Sequence, residues 1–245
     1  MFSVKCVESY VDSNQFHYGC FIIEPLDSGQ GITLGNALRR TLLSELVGSA
    51  ITAVRINNVK HEFSAINGVR EDVLDIILNL KEIRFKNIKY HPMNVRLKVF
   101  GPSVATAAAL KTPEYLEVVN KNQYIATVND SAILEMELRV EQGKGYIFAN
   151  QQSPSDESDF LGEPDHDTVP LDREKEQNHF LLIDAIFSPI KKVNFRIRLL
   201  PFSEDSIKES LIFEIWTDGS ITPKRSLKEA TKFLLHLFYP LLTIN

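Results

Sequence analysis

Residues 134–141 alternate without a break: Leu134, Met136, Leu138 and Val140 share one face of an extended segment, and Glu135, Glu137, Arg139 and Glu141 share the other. Residues 192–199 repeat the pattern, with Val193, Phe195, Ile197 and Leu199 set against Lys192, Asn194, Arg196 and Arg198. A period of two with one charged face requires a sheet that is dry on one side and wet on the other. That is the antiparallel kind, since parallel strands are apolar on both faces. Further short strands are read at 3–11, 16–24, 51–56, 95–99, 115–119 and 211–216. The polar turn Asp12-Ser13-Asn14 makes the first two a hairpin, Gly143-Lys144-Gly145 reads as a turn, and Asp218-Gly219 turns the chain after the last strand.

Helical spacing interrupts these strands three times, so the expected class is α+β. The first helix is placed at 34–47, with Thr33 as N-cap and Gly48 as its left-handed C-terminal residue. Leu34, Ala37, Leu38, Leu42 and Leu46 form the stripe that lies on the chain's own core. A second row, Asn36, Arg40, Leu43 and Val47, places apolar side chains beside Arg39 and Arg40. Exposing Leu43 and Val47 forgoes about 1.5–3 kcal/mol of burial each, whereas an arginine can pack its stem and keep its fork for a carboxylate, so that face suits a partner. The second helix, 69–80, groups Val73, Ile76, Ile77 and Leu80, with Glu71 and Asp72 near its positive end. The third is capped by Thr222 with Pro223 in its first position, and from Phe233 onward it is apolar almost all round. A terminal helix of that kind needs cover on both faces.

Several classes of function are excluded. No apolar run reaches the roughly 18–20 residues that span a bilayer, and the charged start, with Lys5, Glu8 and Asp12, is no signal peptide. Cys6 and Cys20 are too few for a disulfide framework or a zinc site, which fits a reducing compartment. The net charge of −5 argues against a chain devoted to holding phosphate backbones. Its distribution is uneven: 151–179 carries nine Asp or Glu against Arg173 and Lys175, a net of −7, so the rest is slightly basic. With Pro154, Pro164 and Pro170 and few apolar residues, that stretch reads as a surface excursion, and Asp165-His166-Asp167 within it as solvated rather than metal-binding. There is no phosphate loop, no G-x-S-x-G and no H-E-x-x-H, and His61, His179 and His236 read as structural.

A set of short motifs carries more. Glu24-Pro25-Leu26, the run from Gly31 to Leu43, His61-Glu62-Phe63-Ser64, Gly68-Val69-Arg70-Glu71-Asp72-Val73-Leu74, Leu78-Asn79-Leu80-Lys81, Gly143-Lys144-Gly145-Tyr146, Asp184-Ala185 with Ser188-Pro189, and Thr217-Asp218-Gly219-Ser220 occur in this order. Together they resemble the alpha-subunit family of the multisubunit DNA-directed RNA polymerase of bacteria and plastids. Lys5-Cys6-Val7-Glu8-Ser9, Tyr18-Gly19 and Glu214-Ile215-Trp216-Thr217 look more like plastid members.

The resemblance implies a discontinuous dimerisation domain, 1–49 with 180–245, built of antiparallel sheet and two helices, and an inserted strand-rich domain at 50–179. It implies a homodimer that scaffolds the beta and beta-prime subunits, with beta-double-prime as well in plastids. Residues matching the beta contact are Arg40 and Leu43, with Asn36 and Arg39 close by; Leu80 and Lys81 match the beta-prime side. The dimer interface is expected at Leu34, Leu38, Leu42, Leu234, Leu237 and Phe238. No catalytic residue and no cofactor is expected in this chain, because the family's nucleotidyltransferase centre holds its Mg on another subunit. The plastid stroma is the expected compartment, with bacterial cytoplasm the alternative. Members usually continue into a helix-hairpin-helix domain that touches promoter DNA; this sequence stops at Asn245, so DNA is expected only through the complex. Gln30 and Thr41 are more polar than the resemblance suggests near the dimer contact. Two other classes compete: a dimeric promoter-binding regulator, which needs a basic recognition helix not read here, and a self-contained enzyme, which needs a pocket of converging titratable groups.

Overall fold

The computed structural model describes residues 2–87, 91–130, 132–149, 180–203 and 206–243. The chain divides into two compact units, residues 1–48 with 187–245 and residues 49–186. The acidic stretch 151–179, with Asp165-His166-Asp167 and His179, lies outside the described residues.

The first unit opens with a hairpin of β1 (Ser3–Val11) and β2 (His17–Leu26), and continues into helix α1 (Gln30–Ser44). Cys6 lies opposite Phe21 and Cys20 opposite Glu8 in the hairpin, and both thiols are free.

The second unit takes up the chain within β3 (Val47–Ile56), from Ser49, and runs through α2 (Val73–Lys81), β4 (Phe85–Asn87), β5 (Met93–Phe100), β6 (Ser103–Thr106), β7 (Leu116–Val118), β8 (Tyr124–Val128) and β9 (Ile133–Lys144). It closes with the short strands β10 (Tyr146–Ile147), β11 (Leu181–Leu182) and β12 (Ala185–Ile186). Its main sheet has the order β11-β3-β9-β5. The β5–β9 register runs from Met93↔Val140 to Phe100↔Ile133, so Val95, Leu97, Met136 and Leu138 point together into the core while Arg96, Lys98, Glu135 and Glu137 share the wet face. Val73, Ile76, Ile77 and Leu80 of α2 close that core. The segment 180–186, which sequence placed in the first unit, pairs within the second: β11 on Val54 and Ala53 of β3, β12 on β10.

The first unit resumes with β13 (Ile190–Ser203), β14 (Ser206–Thr217), helix α3 (Pro223–Phe238) and a 3-10 turn at Tyr239–Thr243. Its antiparallel sheet has the order β1-β2-β14-β13. Phe21, Ile23, Phe213, Ile215 and Val193 form one face of it, covered by Leu38 and Leu42 of α1 and Ala230 of α3. This is the α+β architecture expected from the alternation.

Helix boundaries depart from the sequence reading where side chains from elsewhere intervene. α2 begins at Val73, not 69, because Val69 pairs with Val128 and Glu71 turns inward, leaving Asp72 at the N-cap. α1 begins at Gln30, four residues early, after Gly29 in the left-handed region (φ 85°). Thr33 does not cap it; its hydroxyl donates to the Gly29 carbonyl at 3.1 Å. Gly48 is not a left-handed helix end but the second residue of β3, where a Cβ would stand 1.7 Å from the Phe187 carbonyl oxygen.

Candidate functional site

The N-terminus of α1 is fixed by a carboxylate distant in sequence. Glu209 of β14, 7% exposed, accepts from the Gly29 N–H at 2.9 Å and the Gly31 N–H at 2.8 Å, satisfying two of the helix's free donors at its positive end. Gly35 lets the helix settle on the Phe195 ring, which a Cβ there would approach to 2.7 Å. Held this way, α1 buries Gly31, Gly35, Leu38, Thr41 and Leu42 and leaves Ile32, Asn36, Arg39, Arg40 and Leu43 exposed, with Val47 exposed just beyond its end. The guanidinium groups of Arg39 and Arg40 have no partner among the described residues.

α3 packs beside α1 on the same sheet. Thr222 caps it, accepting from the Arg225 N–H, and Pro223 lies against β2 where Gly19 leaves room. Its dry face, Pro223, Ser226 and Ala230, ends at the second turn; Leu227 and Leu234 are half-covered. Beyond them Leu235, Leu237, Phe238, Tyr239, Leu241 and Leu242 are each 54–81% exposed. The first unit thus carries two adjacent helices, one with an apolar row beside two cations that no described residue pairs and the other with an exposed apolar end.

Against the sequence assignments, Asn36, Arg39, Arg40 and Leu43 all lie on the exposed face of α1, and Leu237 and Phe238 on the bare end of α3. Leu38 and Leu42, 3% and 0% exposed, are consumed by the unit's own core and cannot reach another chain directly. Leu34 and Leu234 pack on that core from its margin. In the second unit Leu80 is fully buried, so its assignment as a contact is corrected: the i, i+3, i+4 spacing that made α2 amphipathic spends Leu80 inward. Leu74 and Leu78 are the exposed apolar residues of that helix.

Lys81 is held by an ion pair to Asp184 at 3.1 Å. Asp184 also accepts the Ala149 N–H at 2.9 Å; that bond, with the Lys81 ammonium, keeps its carboxyl below the usual range. His61 faces the Ser64 hydroxyl at 3.2 Å, and His236 is exposed rather than structural. Sequence reasoning missed Glu209, whose partner lies 178 residues away, and Ile32, which falls before the assumed helix start.

Residues 54–162 match the family described as RNA polymerase Rpb3/RpoA insert domain. Over its whole length the chain is similar to DNA-directed RNA polymerase subunit alpha of Rhodomonas salina, 46% identical over 244 residues, and of Cyanophora paradoxa, 45% identical over 244 residues; it spans 71% of each relative. The same-named protein of Synechocystis sp. is 44% identical over 247 residues, with 72% of its length covered.

Proposed function

The chain belongs to the family of DNA-directed RNA polymerase alpha subunits, and from that premise we propose that it is the assembly subunit of such an enzyme. In this reading the first unit dimerises through the outer margins of α1 and the end of α3, Leu34, Leu234, Leu237 and Phe238 foremost. The dimer then presents Asn36, Arg39, Arg40 and Leu43 to the beta subunit. The second unit, through Lys81 and the exposed side of α2, faces beta-prime, or beta-double-prime in plastids. The polymerase's Mg sits on another subunit, this chain takes part in nucleotidyl transfer only by holding the complex together, and DNA is met through the complex. The compartment is the plastid stroma or a bacterial cytoplasm.

The observation that supports this most is the bare end of α3. Six large apolar side chains from Leu235 to Leu242 face water on one monomer, and burying each fully is worth about 1.5–3 kcal/mol. A C2 contact covers such a patch with its twin without any new sequence. Sedimentation equilibrium of the chain alone, then with purified large subunits, tests the reading. A dimer that enters a complex with beta is expected; a monomer at 100 µM, or a dimer that binds no large subunit, overturns it.

One observation favours the regulator instead: Lys224, Arg225, Lys228 and Lys232 make the solvent side of α3 more basic than the sequence reading allowed. Lys232 is already paired with Glu229 at 3.1 Å, and the stripe runs straight into Leu235 and Phe238, which suit a protein neighbour better than a DNA groove.

A further inference from the structure

The wet face of the second unit's main sheet holds a cleft of about 400 Å³ across β3, β9 and β5. Among the described residues four cations line it, Arg55, Arg96, Lys98 and Lys111, against two carboxylates, Glu135 and Glu137. Both carboxylates are already engaged. Glu137, 12% exposed, is shared by Arg55 and by Arg96 at 3.5 Å, and Glu135 pairs with Lys98 at 3.1 Å. Among the described residues the cleft therefore has a surplus of two positive charges, in a chain that is acidic as a whole. The Lys111 ammonium has no partner among the described residues, although its backbone N–H is anchored on the Arg96 carbonyl at 2.8 Å. Arg55 is braced from behind by the Phe180 ring, 5.1 Å from its guanidinium carbon.

We propose that this cleft is a docking site for an extended acidic peptide segment of a partner protein. Arg55, Arg96 and Lys98 are held in place by the floor carboxylates and by Phe180, so a ligand carboxylate meets donors there that need little further ordering, and the Lys111 ammonium beside them is left to pair with the ligand. Arg96 and Lys98 stand two residues apart on one strand, about 6.7 Å, which is also the spacing of alternate side chains in an extended peptide. A cleft of this volume is far larger than one small anion. Single-stranded nucleic acid is disfavoured because the described lining offers no aromatic face on which a base stacks; the nearby Phe180 and Phe100 rings are already occupied by Arg55 and Lys98. The inference is independent of the assembly reading, since it uses none of the residues assigned there.

The test is fluorescence anisotropy of a labelled octaglutamate peptide with the full chain at 50 mM and 500 mM salt. Binding at low salt that is lost at high salt is expected. Lys111→Glu should weaken it at least tenfold and Lys111→Ala about threefold to fivefold, whereas Lys224→Glu, on α3 of the first unit, should leave it unchanged. Circular dichroism confirms that the variants fold, as expected for a side chain with no partner among the described residues. Equal losses for Lys111→Glu and Lys224→Glu would overturn the proposal. So would oligo-dT of matched charge binding as tightly with the same Lys111 dependence, or peptide binding that emerges only once the nine acidic residues of 151–179 are neutralised.

Discussion

Glu71 carries a negative charge into a site where it is only 8% exposed, and three donors favour that charge. Burial opposes the charge, but the Tyr124 hydroxyl, the Thr127 N–H at 2.6 Å and the neighbouring Arg70 outweigh it and lower the carboxyl below its ordinary value. A depressed carboxylate stabilises the fold fully above its unfolded value and loses that contribution as pH falls through the lower folded value. Glu71→Gln should therefore cost about 1–3 kcal/mol in urea unfolding at pH 7, and the gap to wild type should close as the pH drops below the reference value of 4.5. Gly48→Ala tests a backbone contact instead. Its Cβ would press on a main-chain oxygen that cannot swing away, so a loss of at least about 1–3 kcal/mol is expected in thermal unfolding. Residues whose partners are adjacent were legible: Thr222 and Pro223 announce the start of α3 within two positions. Glu209 was not, because a cap delivered from another strand leaves no local trace, and Thr33, the better local candidate, was passed over.

At the scale of elements, the sequence reported amphipathicity faithfully but not which polar row meets solvent and which meets a partner. Periodicity found the second row of α1, and the structure exposes it. The same periodicity could not separate Leu38 and Leu42, spent on the sheet beneath, from side chains free to meet another chain, because that depends on where β13 and β14 pass. The exposed residues therefore carry the predictions. Arg40→Ala removes a fork that touches nothing within the described residues, so the dimer should persist while affinity for the beta subunit falls about tenfold to a hundredfold in biolayer interferometry. Leu237→Glu places a charge where α3 is bare, and sedimentation velocity should show the dimer weakened by at least about a hundredfold without loss of helix.

For the whole molecule, the decisive property is that each unit has its own core: Phe21, Leu42, Phe213 and their neighbours in the first, Ile76, Val95, Leu138 and theirs in the second. If dimerisation belongs to the first unit, mass action stabilises that unit alone. Calorimetry should then resolve two transitions. One moves up by about 3 °C for each tenfold rise in concentration, given an unfolding entropy of roughly 2 cal/mol/K per residue over two copies of the first unit. The other does not move. The residue substitutions identify them independently: Leu237→Glu should flatten the concentration-dependent transition and leave its companion in place, whereas Glu71→Gln should lower only the concentration-independent one. A single transition shifting as one with concentration would mean that the two cores unfold together. A concentration dependence that survives Leu237→Glu would remove α3 from the interface.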